Sequence, residues 1–204
     1  MGQTKAWMQF PYPEKAGKEY FDSIVLINAR GKILDNYRKT HLFGRSERLN
    51  FSAGDKLPKI CKVNGLPVGV LNCYEAEFPE LARTLALQGA KLIVIPTAAD
   101  NYYILPNGKM TPVPYPDISR LLLPAHAFEN HIFIAYCNCC GIEKVGKHRW
   151  SFRGNSVVAG PHGQIIAAAK PAETLLIVDI VPADYGPTHP EGDYLKDRRP
   201  GLYM

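Results

Sequence analysis

Apolar and polar positions fall into blocks whose lengths and periods predict strands alternating with helices. Ser23-Ile-Val-Leu-Ile-Asn28 is a short β-branched apolar run, Ala29-Arg-Gly-Lys32 supplies a turn, and Ile33-Leu-Asp-Asn-Tyr-Arg38 returns. This pattern predicts a hairpin and leaves Lys39 at a strand end. A second apolar run, Leu66 to Asn72, stops at Cys73. From Glu77 to Gln88, Phe78, Leu81, Ala82, Leu85 and Ala86 recur at spacings of three and four, one stripe of a helix lying on a sheet. Gly89 stands where a left-handed C-cap is wanted. Lys91-Leu-Ile-Val-Ile-Pro96 is almost wholly apolar and predicts a strand buried on both faces.

From Asn101 to Pro116 the chain is rich in Tyr, Pro and Asn, with a Pro-Asn-Gly turn at 106 to 108. Such a loop is either the rim of a site or a disordered insert, and its aromatics Tyr102, Tyr103 and Tyr115 favour the rim, unless they serve as loop anchors. A second helix is expected over Asp117 to Asn130, kinked or restarted at Pro124. His131 to Cys137 reads as a strand, Trp150 to Ala159 and Gln164 to Ala169 as a hairpin about the Gly160-Pro-His-Gly163 turn, and Thr174 to Val181 as the last strand. Alternating strands and helices with added hairpins give an α/β sandwich. No internal repeat or flexible linker interrupts it.

Composition narrows the functional classes. The 204 residues, 46% of them hydrophobic, suffice for one well-buried domain spanning 1–204. The net charge of +5 comes from 24 basic residues scattered among 19 acidic ones, without a basic stripe, so no nucleic-acid partner is expected. Five cysteines without framework spacing argue against a disulfide scaffold and for a reducing compartment. With no apolar signal core after Met1 and no apolar run of eighteen residues, a soluble, cytoplasmic protein without a membrane partner is expected. Cys137-Asn-Cys-Cys140 crowds three thiols into four residues at a strand end but lacks a second distant ligand pair, so neither metal nor cofactor is expected.

The chemistry centres on Cys73. A thiol where a strand gives way to a helix lies near backbone N–H groups and the positive end of a helix dipole, which favours the thiolate. A single cysteine is more often an inert small hydrophobe. Its company changes that reading: Lys39 stands 34 positions upstream in Tyr37-Arg-Lys-Thr-His-Leu-Phe43, and Glu47 follows Lys39 by eight. Together with Cys73-Tyr-Glu-Ala-Glu-Phe-Pro-Glu80 and the tail Tyr194-Leu-Lys-Asp-Arg-Arg-Pro-Gly-Leu-Tyr203, these segments resemble the nitrilase, or carbon-nitrogen hydrolase, superfamily, in its amidase-like branch.

The resemblance implies a four-layer α-β-β-α sandwich in a homo-dimer or higher homo-oligomer, with residues 186–204 an extended C-terminal tail reaching a partner subunit. It implies hydrolysis of a small-molecule carboxamide to a carboxylic acid and ammonia, or of a nitrile by the same site. Cys73 would be the nucleophile, Lys39 and the backbone N–H of Tyr74 would face the oxyanion, and Glu47 would hold Lys39. Phe78, Thr97, Ala98 and Glu129 would bind substrate or support the groups that do, and Phe152 to Ser156 would face the substrate. Glu75 stands where the family pattern has Asp, and is expected to cap the helix start. The family also carries a base glutamate well before the lysine. Glu14 falls instead on a strand leading into the hairpin, so the chain is expected to lack the family's opening strand, first helix and base, being incomplete at the N-terminus and either impaired in catalysis or silent.

Overall fold

In a computed structural model of the protein, residues 6–102, 109, 111, 114–146 and 148–203 are described. The predicted hairpin is present as β2 (Glu19–Ile27) and β3 (Ile33–Arg38), paired antiparallel with Ser23 opposite Arg38. A strand not expected as a separate element, β1 (Met8–Ala16), pairs along the whole of β2 and completes a three-stranded sheet of order β1-β2-β3. Glu14 lies on it, opposite Phe21, in keeping with its expected place before the hairpin. A short helix, α1 (Gly44–Asn50), follows and contributes no buried residue.

The second sheet holds six strands: β4 (Cys61–Val63), β5 (Leu66–Val70), β6 (Leu92–Thr97), β7 (Phe133–Asn138), β10 (Val157–Ala159) and β11 (Ile165–Ala168), ordered β11-β10-β7-β6-β5-β4. Its centre, β5-β6-β7, is parallel. The two crossovers are the helices α2 (Pro79–Leu87) and α3 (Ile118–Asn130), as parallel neighbours require. In α2 the expected stripe buries Leu81, Ala82, Leu85 and Ala86; Gly89, at φ +96°, turns the chain out of the helix. These residues pack with Ile93, Ile95, Leu123, Ala127 and Ile134 in the main core. α3 runs through Pro124 without restarting. Proline removes one N–H, but the carbonyl that loses it belongs to exposed Arg120, where water can serve.

Three expectations are corrected here. β6 is not buried on both faces: Ile93 and Ile95 lie in the main core, whereas Val94 and Pro96 are only partly buried and border a cavity on the other face. The stretch from Trp150 to Ala159 is not one strand, because Gly154, at φ +67°, and Asn155, at φ +56°, break it. Its first part is β9 (His148–Arg153), which pairs with β8 (Cys140–Val145) in a separate ribbon; its second part is β10, which pairs with β11. Residues 174–181 join no ladder among the described residues, and Leu175 and Ile177 are 84% and 85% exposed.

The sheets meet where Ile24 and Tyr37 of the smaller pack on Val70 of the larger. Helices α2 and α3 back the larger sheet, so the described residues form helix, sheet and sheet in succession. The first half of β2, with Asp22, lies beside the end of β3, and the residues at and after the ends of β3, β5, β6 and β7 form the site with it.

Candidate active site

Cys73 follows β5 and opens a 3-10 turn, Cys73–Glu77, rather than a long helix. Its φ of +52° is a left-handed conformation that non-glycine residues adopt at a cost, and it turns the residue out of the strand direction. Asn72 before it is fixed from two sides: its N–H donates to Glu75 Oε2 at 2.9 Å, and its side-chain amide donates to Asp22 Oδ1 at 3.0 Å.

Lys39 ends β3. Its N–H donates to the Asp22 carbonyl across the hairpin at 2.8 Å, and its own carbonyl accepts from Gly54 N–H at 2.8 Å. The side chain is fully buried, with Nζ 2.8 Å from both Glu47 oxygens and 3.3 Å from Asp22 Oδ2. Burial alone would lower its pKa, but Cys73, Glu47 and Asp22 outweigh that and the net shift is upward. Lys39 is therefore an ammonium at neutral pH.

Glu75 ties these segments together. Its side chain is buried and accepts from Tyr37 Oη at 2.5 Å, Thr40 Oγ1 at 2.7 Å, Thr40 N at 2.8 Å, Asn72 N at 2.9 Å and His41 N at 3.3 Å. The expected local cap is thus also a long-range clasp between the end of β3 and the Cys73 turn.

Cys73, Lys39, Glu47, Tyr74, Thr97 and Ala98 all border one cavity of about 880 Å³. Cys73 departs from expectation in its ionisation. Burial dominates and raises its pKa; Lys39 and the Ala98 N–H act downward, Glu47 and Asp22 upward, and the net direction is up. A five-residue 3-10 turn offers little dipole to oppose this. Tyr74 packs edge-on to Phe43 and Phe78, with ring centroids 5.1 and 5.0 Å away.

Two expected contributors stand elsewhere. Phe78 is not on the cavity wall; it lies behind Tyr74 and against His41, at 4.4 Å between ring centroids. Glu129 is also apart from the cavity: its Oε1 meets His126 Nδ1 at 3.0 Å, and its carbonyl accepts from Arg83 at 2.8 Å. At 37% side-chain exposure it is not a buried carboxylate. The expected substrate-facing loop is divided, Gly154 and Ser156 reaching the cavity while Phe152, Arg153 and Asn155 border a neighbouring one.

Residues not singled out from sequence complete the wall. Asp22 is cross-strand from Lys39, a relation the hairpin register carries once its turn is placed. Glu77 is bonded by the Tyr115 hydroxyl; burial pushes its pKa up and that bond opposes the shift. Of the expected aromatic rim, Tyr115 lines the cavity, Tyr102 is exposed, and Tyr103 and the turn at 106–108 lie outside the described residues. Cys137, Cys139 and Cys140 also reach the cavity, but no group of three His, Cys, Asp or Glu side chains among the described residues is placed to hold a metal ion. No helix among them is long and apolar enough to cross a membrane.

Comparison with known proteins accounts for this arrangement. The carbon-nitrogen hydrolase family matches residues 2–190. A Pseudomonas protegens protein named hydrolase in pqqF 5'region is 38% identical over 95% of this chain and 63% of its own length. The N-carbamoylputrescine amidase of Solanum tuberosum is 32% identical over 93% of this chain and 64% of its own length. Among solved structures, an amidase of the nitrilase superfamily from Nesterenkonia superposes with a TM-score of 0.79 at 32% identity, over 97% of this chain and 66% of that one. The chain thus spans slightly less than two thirds of the length of these relatives, but nearly all of it is matched. With the same α/β fold and identities above 30% across more than nine-tenths of its residues, this chain belongs to the carbon-nitrogen hydrolase family, in the amidase-like branch of the nitrilase superfamily.

Proposed function

We propose that this chain carries a carbon-nitrogen hydrolase centre that converts a small carboxamide and water to a carboxylic acid and ammonia through a thioester on Cys73. The observation that carries the reading is a buried ammonium, Lys39, held by Glu47 in the same cavity as Cys73. Cys73 Sγ attacks the amide carbon and its proton passes to a carboxylate bordering the cavity, Glu47 or Glu77. The carbonyl oxygen becomes an anion facing Lys39 Nζ and the Tyr74 N–H. A fixed donor at such a position contributes about 2.7–4 kcal/mol to the transition state. Collapse of the intermediate breaks the C–N bond, and the stored proton leaves with the nitrogen as ammonia. Water then attacks the thioester, releasing the acid and returning the proton to sulfur.

The cavity's apolar borders, including Val94, Pro96 and Phe43, suit a short acyl group. A mutant of the Nesterenkonia amidase shows covalent addition of the acetamide moiety of fluoroacetamide at its active site cysteine, at 32% identity and a TM-score of 0.78. That supports giving Cys73 the same part.

The test is ammonia release from short-chain carboxamides, with mass spectrometry of the acylated chain. Wild-type protein should release ammonia and gain the acyl mass on Cys73. Cys73→Ala should lose about a thousandfold or more of the rate. Equal rates in both proteins would overturn the proposal.

A further inference from the structure

Lys39 is held by two carboxylates on different elements, and only one of them, Glu47, has a part in the chemistry given above. The second is Asp22 on β2. Its backbone carbonyl accepts the Lys39 N–H at 2.8 Å, its Oδ2 lies 3.3 Å from Lys39 Nζ, and its Oδ1 accepts from the Asn72 amide at 3.0 Å. Asp22 therefore touches both the residue carrying the ammonium and the residue preceding Cys73, and it borders the same cavity. Its side chain is 23% exposed while that of Lys39 is wholly buried.

Charge counting gives this position a role. Two carboxylates and one ammonium already leave the group with an excess negative charge. Ionising Cys73 beside them would add another, in a place where burial weakens screening. The bond lengths also differ: Glu47 chelates Nζ at 2.8 Å through both oxygens, so the longer Asp22 contact is the one an incoming oxyanion can replace with least loss.

We propose that Asp22 is a positioning residue of this centre, occupying the Lys39 donor reserved for the oxyanion and, through its charge, keeping the Cys73 proton on sulfur until substrate binds. This rests on the hydrolase reading for the oxyanion, but the hold on Cys73 can be measured without turnover. The charged and titratable groups facing Cys73 are Lys39 at the end of β3, Asp22 on β2, Glu47 on α1 and Tyr136 on β7; Glu77 and the 137–140 thiols share the cavity wall. Asp22 and Glu47 both act to raise the thiol's pKa, in agreement with the charge count.

The experiment follows iodoacetamide alkylation of Cys73, by peptide mass spectrometry, against pH in wild type, Asp22→Asn and Asp22→Glu, together with kcat on a carboxamide. Removing a negative neighbour stabilises the thiolate, so Asp22→Asn should move the alkylation midpoint down and raise the rate at neutral pH about 3- to 10-fold. Its kcat should fall, since Lys39 loses a holder. Asp22→Glu, which retains the charge, should restore both. Opposite movement of the two readouts separates this role from a structural one, which would lower both. An unchanged or raised midpoint in folded Asp22→Asn would overturn the proposal. If that variant does not fold, the wild-type midpoint still decides: a value below the ordinary cysteine value of about 8.5 would overturn it. Failure of the hydrolase reading would show separately, as no ammonia release from wild type while the alkylation shift persists.

Discussion

Replacing Glu75 by Ala removes the acceptor that joins the strand carrying Lys39 to the turn carrying Cys73. Five donors lose this acceptor, among them two in buried surroundings: the Asn72 N–H, and the Tyr37 hydroxyl, which keeps a longer contact of 3.3 Å with Thr40 Oγ1. Summing them at about 1.5–3 kcal/mol each would overcount, because they act on one carboxylate and are not independent. The Thr40 and His41 donors are part-buried and can meet water in the space vacated, leaving Tyr37 Oη and Asn72 N to bear most of the loss. At about 1–3 kcal/mol for each stranded buried donor, with the lost packing added, the substitution should cost about 3–5 kcal/mol. That is a large share of a typical total of about 5–15 kcal/mol. At this chain length it lowers Tm by about 6–20 °C. Glu75→Gln keeps one oxygen but can turn an amide N–H toward Asn72 N–H, and should cost about 1–2 kcal/mol. Urea melts followed by tryptophan fluorescence measure the loss, and the amide hydrolysis rate at a temperature where both variants are folded measures the displacement of Lys39 from Cys73. A Tm within about 2 °C of wild type for Glu75→Ala would refute the clasp.

Two further substitutions test the same support. A Cβ built on Gly54 would lie 2.2 Å from the Arg38 carbonyl oxygen, so Gly54→Ala must push the end of β3 away; a loss of about 1–3 kcal/mol or more is expected in urea melts, with slower amide hydrolysis as Lys39 shifts. Glu14 is held at a pKa of about 2 by its bond to Arg38, with Ser23 and Asn36 also donating to it. Because the folded value lies below the ordinary one of about 4.3, its contribution is complete above that pH and fades as pH falls toward about 2. The urea midpoint should therefore fall across this window in wild type and less steeply in Glu14→Gln; parallel curves would contradict the assignment.

The elements legible in the sequence were those whose pattern and boundary residues agree. The β2–β3 hairpin has β-branched runs on both sides of a Gly-containing turn, and α2 has an unbroken stripe ended by Gly89. β1 was harder to read because Pro11 and Pro13 argue against a strand; on the open edge of a sheet their missing N–H groups cost no ladder bond. The β8–β9 ribbon was hidden by a break at two left-handed residues, Gly154 and Asn155, which no hydrophobic period records. At the site, Cys73, Lys39 and Glu47 were recoverable from spacing and resemblance, and they share a cavity. Asp22 was not, because its meaning comes from cross-strand register. Phe78 and Glu129 lie close in sequence to the site's elements, yet Phe78, extended between the 3-10 turn and α2, packs on His41, and Glu129 turns to His126. The ionisation of Cys73 was misjudged for a related reason: its position suggests a helix dipole, whereas desolvation depends on what the rest of the chain packs around it.

The extended run at 174–181 bears on how this protein behaves at high concentration. With aliphatic side chains at 175 and 177 open to solvent, backbone groups in no ladder among the described residues, and no charge between Thr174 and Asp179, it has the makeup of a segment prone to pair with another chain. Ile177→Lys would place a gatekeeper charge in the middle of this run, at a position outside the main core and not on the cavity wall, and is expected to lower self-association of the chain.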